Sequence, residues 1–131
     1  MPIYTALVTV LAVCLYFMTG LLVANARTKF GISPPTTTGN PDFERVFRVQ
    51  MNMLEWMPIF LPLLWLFAVY LSDWGAAVIG VVWIAGRLTY VLGYSAAAEK
   101  RHRGFFIQGL ASAALLIGAL FGIIRHLVYG G

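Results

Sequence analysis

Residues 40–58, NPDFERVFRVQMNMLEWMP, form a polar stretch that contains five charged side chains. The stretch runs directly into residues 59–71, IFLPLLWLFAVYL, which are apolar throughout. A charged side chain at the centre of a bilayer costs about 2.5–3.5 kcal/mol on insertion scales, so this junction needs an explanation. We interpret the two stretches as one membrane helix whose first half carries a binding surface for a small, highly polar molecule.

The rest of the chain places this helix in a membrane bundle. Of the 131 residues, 60% are hydrophobic and 11% are charged, which leaves too little polar surface for a water-soluble domain. Residues 1–26 and 104–124 have no charged side chain and residues 74–98 have one, so each can span a bilayer. We predict one domain, residues 1–131, with an all-α four-helix membrane fold. The predicted helices lie near residues 3–26, 43–71, 75–98 and 104–127.

The basic side chains predict how the bundle is oriented. The first connection contains Arg27 and Lys29, and the third contains Lys100, Arg101 and Arg103. Four consecutive membrane helices put these two connections on the same side of the membrane. The positive-inside rule then places both connections in the cytoplasm and both chain ends outside.

Features near the chain ends bear on location. The residues VANA before Arg27 resemble a signal-peptide cleavage site. The segment before them lacks a basic start and is longer than a usual signal, so we expect it to be retained as a helix. The chain shows no C-terminal retention signal. We expect a multi-pass protein of a bacterial inner membrane.

Polar side chains recur at helical spacing on two of the predicted helices. On the second helix, at spacings of four and three residues, they are Arg48, Asn52 and Glu55. On the third helix and its continuation, at spacings of three, four and seven, they are Arg87, Tyr90, Tyr94 and Arg101. Polar side chains inside a membrane are expected to face protein or a water-filled cavity and to indicate a functional site.

The charges of these stripes indicate what the site binds. Glu55 could simply neutralise Arg87 or Arg48 and hold the bundle together, because buried charges are usually paired. The arginines outnumber the carboxylates, however, and arginine binds carboxylates through two parallel hydrogen bonds. The stripes therefore predict an anionic ligand with one amine, bound at the cytoplasmic face of the membrane.

Three motifs in order resemble a known family. The segment NPDFERVFRVQMNMLEWMPIFLPLLW follows SPPTTTG and precedes AGRLTYVLGY. Together they are similar to the membrane-associated proteins in eicosanoid and glutathione metabolism, the MAPEG family. The similarity is greatest to microsomal glutathione transferases of the leukotriene C synthase type. It extends from about Ala26 to Arg101, whereas the first and last helices match only in hydropathy.

The resemblance implies a homotrimer of four-helix protomers with glutathione bound between neighbouring subunits. Glutathione has two carboxylates and one ammonium group, which suit the arginines and Glu55. The implied glutathione contacts are Arg27, Arg48, Gln50, Asn52, Glu55, Tyr90 and Tyr94, together with Trp56. Trp56 stands where the leukotriene C synthase type has a tyrosine, and Thr28 where it has a second arginine. Arg101 matches the position that activates the thiol, and we interpret Arg87 as structural.

The implied reaction uses a glutathione thiolate. A free thiol has a pKa of ~8.5. Lowering that pKa by ~2 makes most of the thiol anionic at neutral pH and corresponds to ~2.7 kcal/mol of stabilisation of the thiolate relative to the thiol. The thiolate would attack an apolar electrophile or reduce a lipid hydroperoxide, either one drawn from the membrane lipids. His102 is expected to be an exposed interfacial histidine. No metal is expected, since the single cysteine forms no cluster. No nucleic-acid partner is expected either.

Two other functions fit parts of the pattern. The same family includes a lipoxygenase-activating protein, a non-catalytic adaptor that presents lipid, and loss of glutathione binding would favour that alternative. A small proton-coupled exporter would use Glu55 as its intramembrane acid. The surrounding arginines weigh against the exporter because they would repel cationic drugs.

Overall fold

The computed structural model describes residues 1–96 and 102–130, and these residues form four α-helices. They are α1 (Ile3–Phe30), α2 (Pro41–Tyr70), α3 (Asp73–Ala96) and α4 (His102–Tyr129). Each helix contains a segment long and apolar enough to cross a membrane, which confirms the predicted all-α four-helix membrane fold. Arg101, the predicted thiol-activating residue, lies outside the described residues.

Local sequence signals set where α1 ends and α2 begins. α1 continues past residue 26 to Phe30 and ends at Gly31, whose φ of 69° is left-handed and favours glycine. Before α2, the Asn40 side-chain oxygen accepts hydrogen bonds from the backbone N–H groups of Asp42 and Phe43 at 2.9 and 3.0 Å. Asparagine before a proline at the first helical position is a strong start signal, and α2 begins at Pro41 accordingly.

Helices α2 and α3 form the centre of the bundle. Each of them packs against the other, against α1 and against α4. Between them Phe60 stacks on Trp83, with ring centroids 3.8 Å apart and both side chains fully buried. Large apolar side chains such as Phe17, Ile117 and Phe121 are exposed on the outside of the bundle, where lipid chains would cover them.

Two glycines on α4 determine how closely it packs on α2. Gly118 and Gly122 are four residues apart, a spacing that permits close contact between helices. A Cβ at Gly118 would collide with the Phe67 ring, and one at Gly122 would lie 2.7 Å from the Tyr70 carbonyl oxygen. The glycine pair is therefore used inside the protomer.

The start of α1 is capped by a side chain from another helix. The Asp73 carboxylate, in the first turn of α3, accepts hydrogen bonds from the backbone N–H groups of Tyr4 (3.2 Å) and Thr5 (2.9 Å). No side chain at the N-cap position of α1 makes such a bond. Asp73 thus satisfies the free N–H groups of α1 and ties the start of α1 to the α2–α3 turn.

Replacing Asp73 by alanine is expected to destabilise the protein by about 1–2 kcal/mol, as the loss of a helix cap does. Asp73→Asn should cost less, because an amide oxygen still accepts a hydrogen bond. Thermal unfolding in detergent measures both. Asp42→Ala is the comparison: it removes an exposed carboxylate that pairs with Arg45 at the other end of the bundle, and its cost should stay below about 1 kcal/mol. Equal melting temperatures for Asp73→Ala and Asp42→Ala would contradict the capping role.

Candidate functional site

A polar cleft opens where the predicted stripes of α2 and α3 meet the start of α4. Its volume is about 460 Å³, within the range of small-molecule sites. The side chains that line it are Arg48 and Asn52 from α2, Tyr90 and Tyr94 from α3, and His102 and Phe105 from α4. Four of the predicted glutathione contacts therefore come together in one cavity.

An ion pair lies at the cleft. Arg48 and Glu55, two helical turns apart on α2, are 3.6 Å apart between Nη2 and Oε1, and both side chains are more than half exposed. Of the two partners considered for Glu55, the structure thus selects Arg48 rather than Arg87. An exposed pair of this kind contributes less than about 1 kcal/mol, so a ligand with both a carboxylate and an ammonium group could replace it at little cost.

Arg87 lies behind the cleft wall and is completely buried. Its Nη1 donates a hydrogen bond to Asn52 Oδ1 at 2.6 Å, and its guanidinium carbon lies 4.5 Å from the centre of the Tyr90 ring. Its Nε and Nη2 atoms are buried and have no hydrogen-bond partner in the part of the chain that the structure describes. Among the described residues, no carboxylate pairs with Arg87.

Aromatic rings form one side of the cleft. Tyr90 and Tyr94 are stacked, with ring centroids 5.5 Å apart, and Phe105 lies 6.1 Å from Tyr90. Trp56 contacts Phe105 edge-to-face at 5.7 Å, so this predicted ligand contact adjoins the cleft through Phe105 and does not line it. His102 is exposed as expected, yet it lines the cleft.

Phe105 was not predicted, although a signal for it existed. A short connection returns the chain from the polar end of α3 into α4, so the first turn of α4 must lie beside Tyr90. The backbones of α3 and α4 lie very close together. A Cβ at Gly104 would meet the backbone nitrogen of Tyr90, and a Cβ at Gly86 would lie 2.8 Å from the backbone nitrogen of Gln108. The two glycines thus allow the first turn of α4 to form a cleft wall.

Two predicted contacts lie away from the cleft. Arg27 donates hydrogen bonds to the carbonyl oxygens of Ile32 (3.3 Å) and Thr36 (2.8 Å), and its guanidinium lies 5.0 Å from the centre of the Phe43 ring. Gln50 lines a separate groove of about 370 Å³ between α1 and α2. A single protomer therefore does not bring Arg27 and Gln50 to the ligand that the cleft would hold.

Comparisons with known proteins show which family the chain resembles. The sequence model of the MAPEG family matches residues 5–121. The chain is 50% identical to an uncharacterized protein of Synechocystis over 95% of its own length and 91% of the relative's. It is 43% identical to human microsomal glutathione S-transferase 2 (90% and 81% covered) and 40% identical to guinea-pig (Cavia porcellus) leukotriene C4 synthase (92% and 81% covered).

Proposed function

Because this chain belongs to the MAPEG family, we propose that it is a membrane-bound glutathione transferase. Glutathione would be its co-substrate, and an apolar electrophile dissolved in the bilayer would be the acceptor. Reduction of lipid hydroperoxides is a second reaction of the same thiolate. The basic connections support a cytoplasmic active site, which in a bacterium would lie at the inner membrane.

The observation that carries the proposal is the cleft lined by Arg48, Asn52, Tyr90 and Tyr94. Glu55 adjoins it through its ion pair with Arg48. Its donors suit carboxylates, since guanidinium, amide and hydroxyl groups all donate hydrogen bonds. Glu55 is the acceptor suited to the single ammonium group of glutathione. The named relatives include a glutathione S-transferase, which supports the same co-substrate.

The mechanism requires the protein to hold glutathione and to stabilise its thiolate. We assign this stabilisation to Arg101, on the basis of its match to the family's activating position. The sulfur would then attack an electrophilic carbon, forming a C–S bond as the leaving group departs or an epoxide opens. In the peroxide reaction, two glutathione thiols become one disulfide while the peroxide becomes an alcohol and water.

A homotrimer with its sites between subunits is part of the proposal. Arg27, in the last turn of α1, and Gln50, on the side of α2 that faces α1, both lie outside the cleft of their own protomer. If they contact glutathione, as the resemblance implies, they must do so in the cleft of a neighbouring subunit. The exposed apolar faces of α1 and α4 leave room for both subunit contacts and lipid.

A Glu55→Gln variant tests whether Glu55 binds the ammonium group of glutathione. We expect glutathione to bind at least about tenfold more weakly, because a hydrogen bond between charged groups contributes about 1.5–3 kcal/mol. N-acetylglutathione, which lacks the ammonium group, should bind parent and variant alike. Equilibrium binding to the detergent-solubilised protein measures both ligands.

The matched control is Glu44→Gln, which removes a carboxylate that accepts a hydrogen bond from the Gly39 N–H group outside the cleft. It should leave both affinities unchanged. A parent protein that binds no glutathione at all would refute the enzyme and favour the adaptor. Binding that Glu55→Gln leaves intact would refute only the role of Glu55.

A further inference from the structure

We propose that Arg87, although it cannot touch a ligand, is a positioning residue that decides which end of the Asn52 amide faces the cleft. The inference rests on the proposed function for the identity of the ligand. Its structural basis is the 2.6 Å hydrogen bond from Arg87 Nη1 to Asn52 Oδ1 and the complete burial of the arginine.

The chemistry of the two side chains determines the orientation. A guanidinium group has only donors, whereas an amide has an acceptor at one end and two donors at the other. The oxygen of Asn52 must therefore face Arg87, and the NH₂ group must face away from it. Asn52 lines the cleft, and its amide nitrogen has no partner among the described residues. The cleft thus receives two N–H donors at this position.

Arg87 also contacts a second cleft residue. Its guanidinium carbon lies 4.5 Å from the centre of the Tyr90 ring, so it packs against the inner side of a ring that lines the cavity. One buried cation therefore supports two neighbouring cleft residues on different helices. Without a carboxylate partner in the described residues, the positive charge adds to the attraction of the cleft for anions.

The expected consequence is selection of an acceptor group on the ligand. With the NH₂ group fixed outwards, Asn52 can bind a carboxylate or carbonyl oxygen and cannot accept a hydrogen bond from an ammonium group. Arg87 thereby keeps a carboxylate of glutathione at Asn52 and leaves the ammonium group to Glu55. Asn52 and Glu55 can each bind a different group of one ligand, because they are three residues apart on the same face of α2.

The test compares Arg87→Met, which removes the donors and the charge, with Arg87→Lys, which keeps a charged donor. Glutathione affinity should fall at least about tenfold in Arg87→Met, the loss expected for a charge-assisted hydrogen bond, and should be partly restored in Arg87→Lys. Arg125→Met removes an exposed cation from α4 and is the control for net charge; its affinity should equal that of the parent.

A double-mutant cycle with Asn52→Ala separates positioning from a general structural effect. If Arg87 acts through Asn52, Arg87→Met should change the affinity much less in the Asn52→Ala background than in the parent. Equal changes in both backgrounds would overturn the inference. Asn52→Asp keeps a partner for Arg87 but presents no donor, and it should bind glutathione no better than Asn52→Ala.

A measurement without ligand keeps the inference separate from the proposed function. The chain has three asparagines, Asn25, Asn40 and Asn52, so selective ¹⁵N-asparagine labelling gives a simple amide spectrum. The Asn52 signal, identified by its loss in Asn52→Ala, should show one fixed orientation in the parent and averaging in Arg87→Met. A fixed amide in both proteins would refute the role of Arg87, whether or not glutathione binds.

Discussion

Substituting Arg101 by alanine is expected to leave glutathione bound while removing most of its thiolate. The reason is electrostatic, because a cation beside the sulfur lowers the pKa of the bound thiol. If Arg101 lowers that pKa by ~2 from ~8.5, its removal reduces the thiolate fraction at neutral pH roughly 20-fold. The rate of conjugation should fall by a similar factor, since the thiolate is the nucleophile.

Ultraviolet difference spectra of the solubilised protein with glutathione report the thiolate directly, and equilibrium binding reports occupancy separately. Arg103→Ala is the matched control, because Arg103 is an exposed arginine two residues away in the first turn of α4 and does not line the cleft. Its thiolate signal should equal that of the parent. A thiolate band that persists in Arg101→Ala would disprove the assignment and point to activation by the second substrate.

The fold could be predicted from the sequence because a bilayer imposes strict requirements on length and polarity. Four apolar stretches fix four helices, and Asn40 before Pro41 fixes the start of α2. The end of α1 was harder to predict, because residues 27–30 are mostly polar yet continue the helix until Gly31 stops it. Hydropathy marks the membrane-spanning part of a helix, not the polar turns that extend beyond it.

Spacing predicted which residues share one face of a helix better than it predicted which residues pair with one another. Spacing alone placed Arg48, Asn52 and Glu55 on one side of α2, and the cleft contains or adjoins all three. Spacing could not decide whether Glu55 pairs with Arg48 or with Arg87, because that depends on the rotation of α3 against α2. The sequence likewise offered no way to predict that Asp73 caps α1. Asp73 is separated from Thr5 by 68 positions and from Tyr4 by 69.

The contact between α3 and α4 leads to the largest expected loss of stability. A Cβ at Gly104 would meet the backbone nitrogen of Tyr90 and lie 2.8 Å from its Cα. Helix backbone cannot move aside as the end of a flexible side chain can, so Gly104→Ala must push the two helices apart. We expect destabilisation near the upper end of the ~1–3 kcal/mol that overpacking costs.

The same substitution should weaken glutathione binding without changing any predicted ligand contact, because Gly104 holds α4 against the helix that carries Tyr90. Gly109→Ala is the matched control: it lies five residues further along α4 and a Cβ there has no atom within 4 Å. Alanine favours helix over glycine by roughly 1 kcal/mol, so Gly109→Ala should melt at or above the parent temperature. Equal melting temperatures for Gly104→Ala and Gly109→Ala would show that α3 and α4 are not packed as closely as the glycines allow. If Gly104→Ala is destabilised but binds glutathione as tightly as the parent, the close α3–α4 contact at Gly104 does not determine the shape of the cleft.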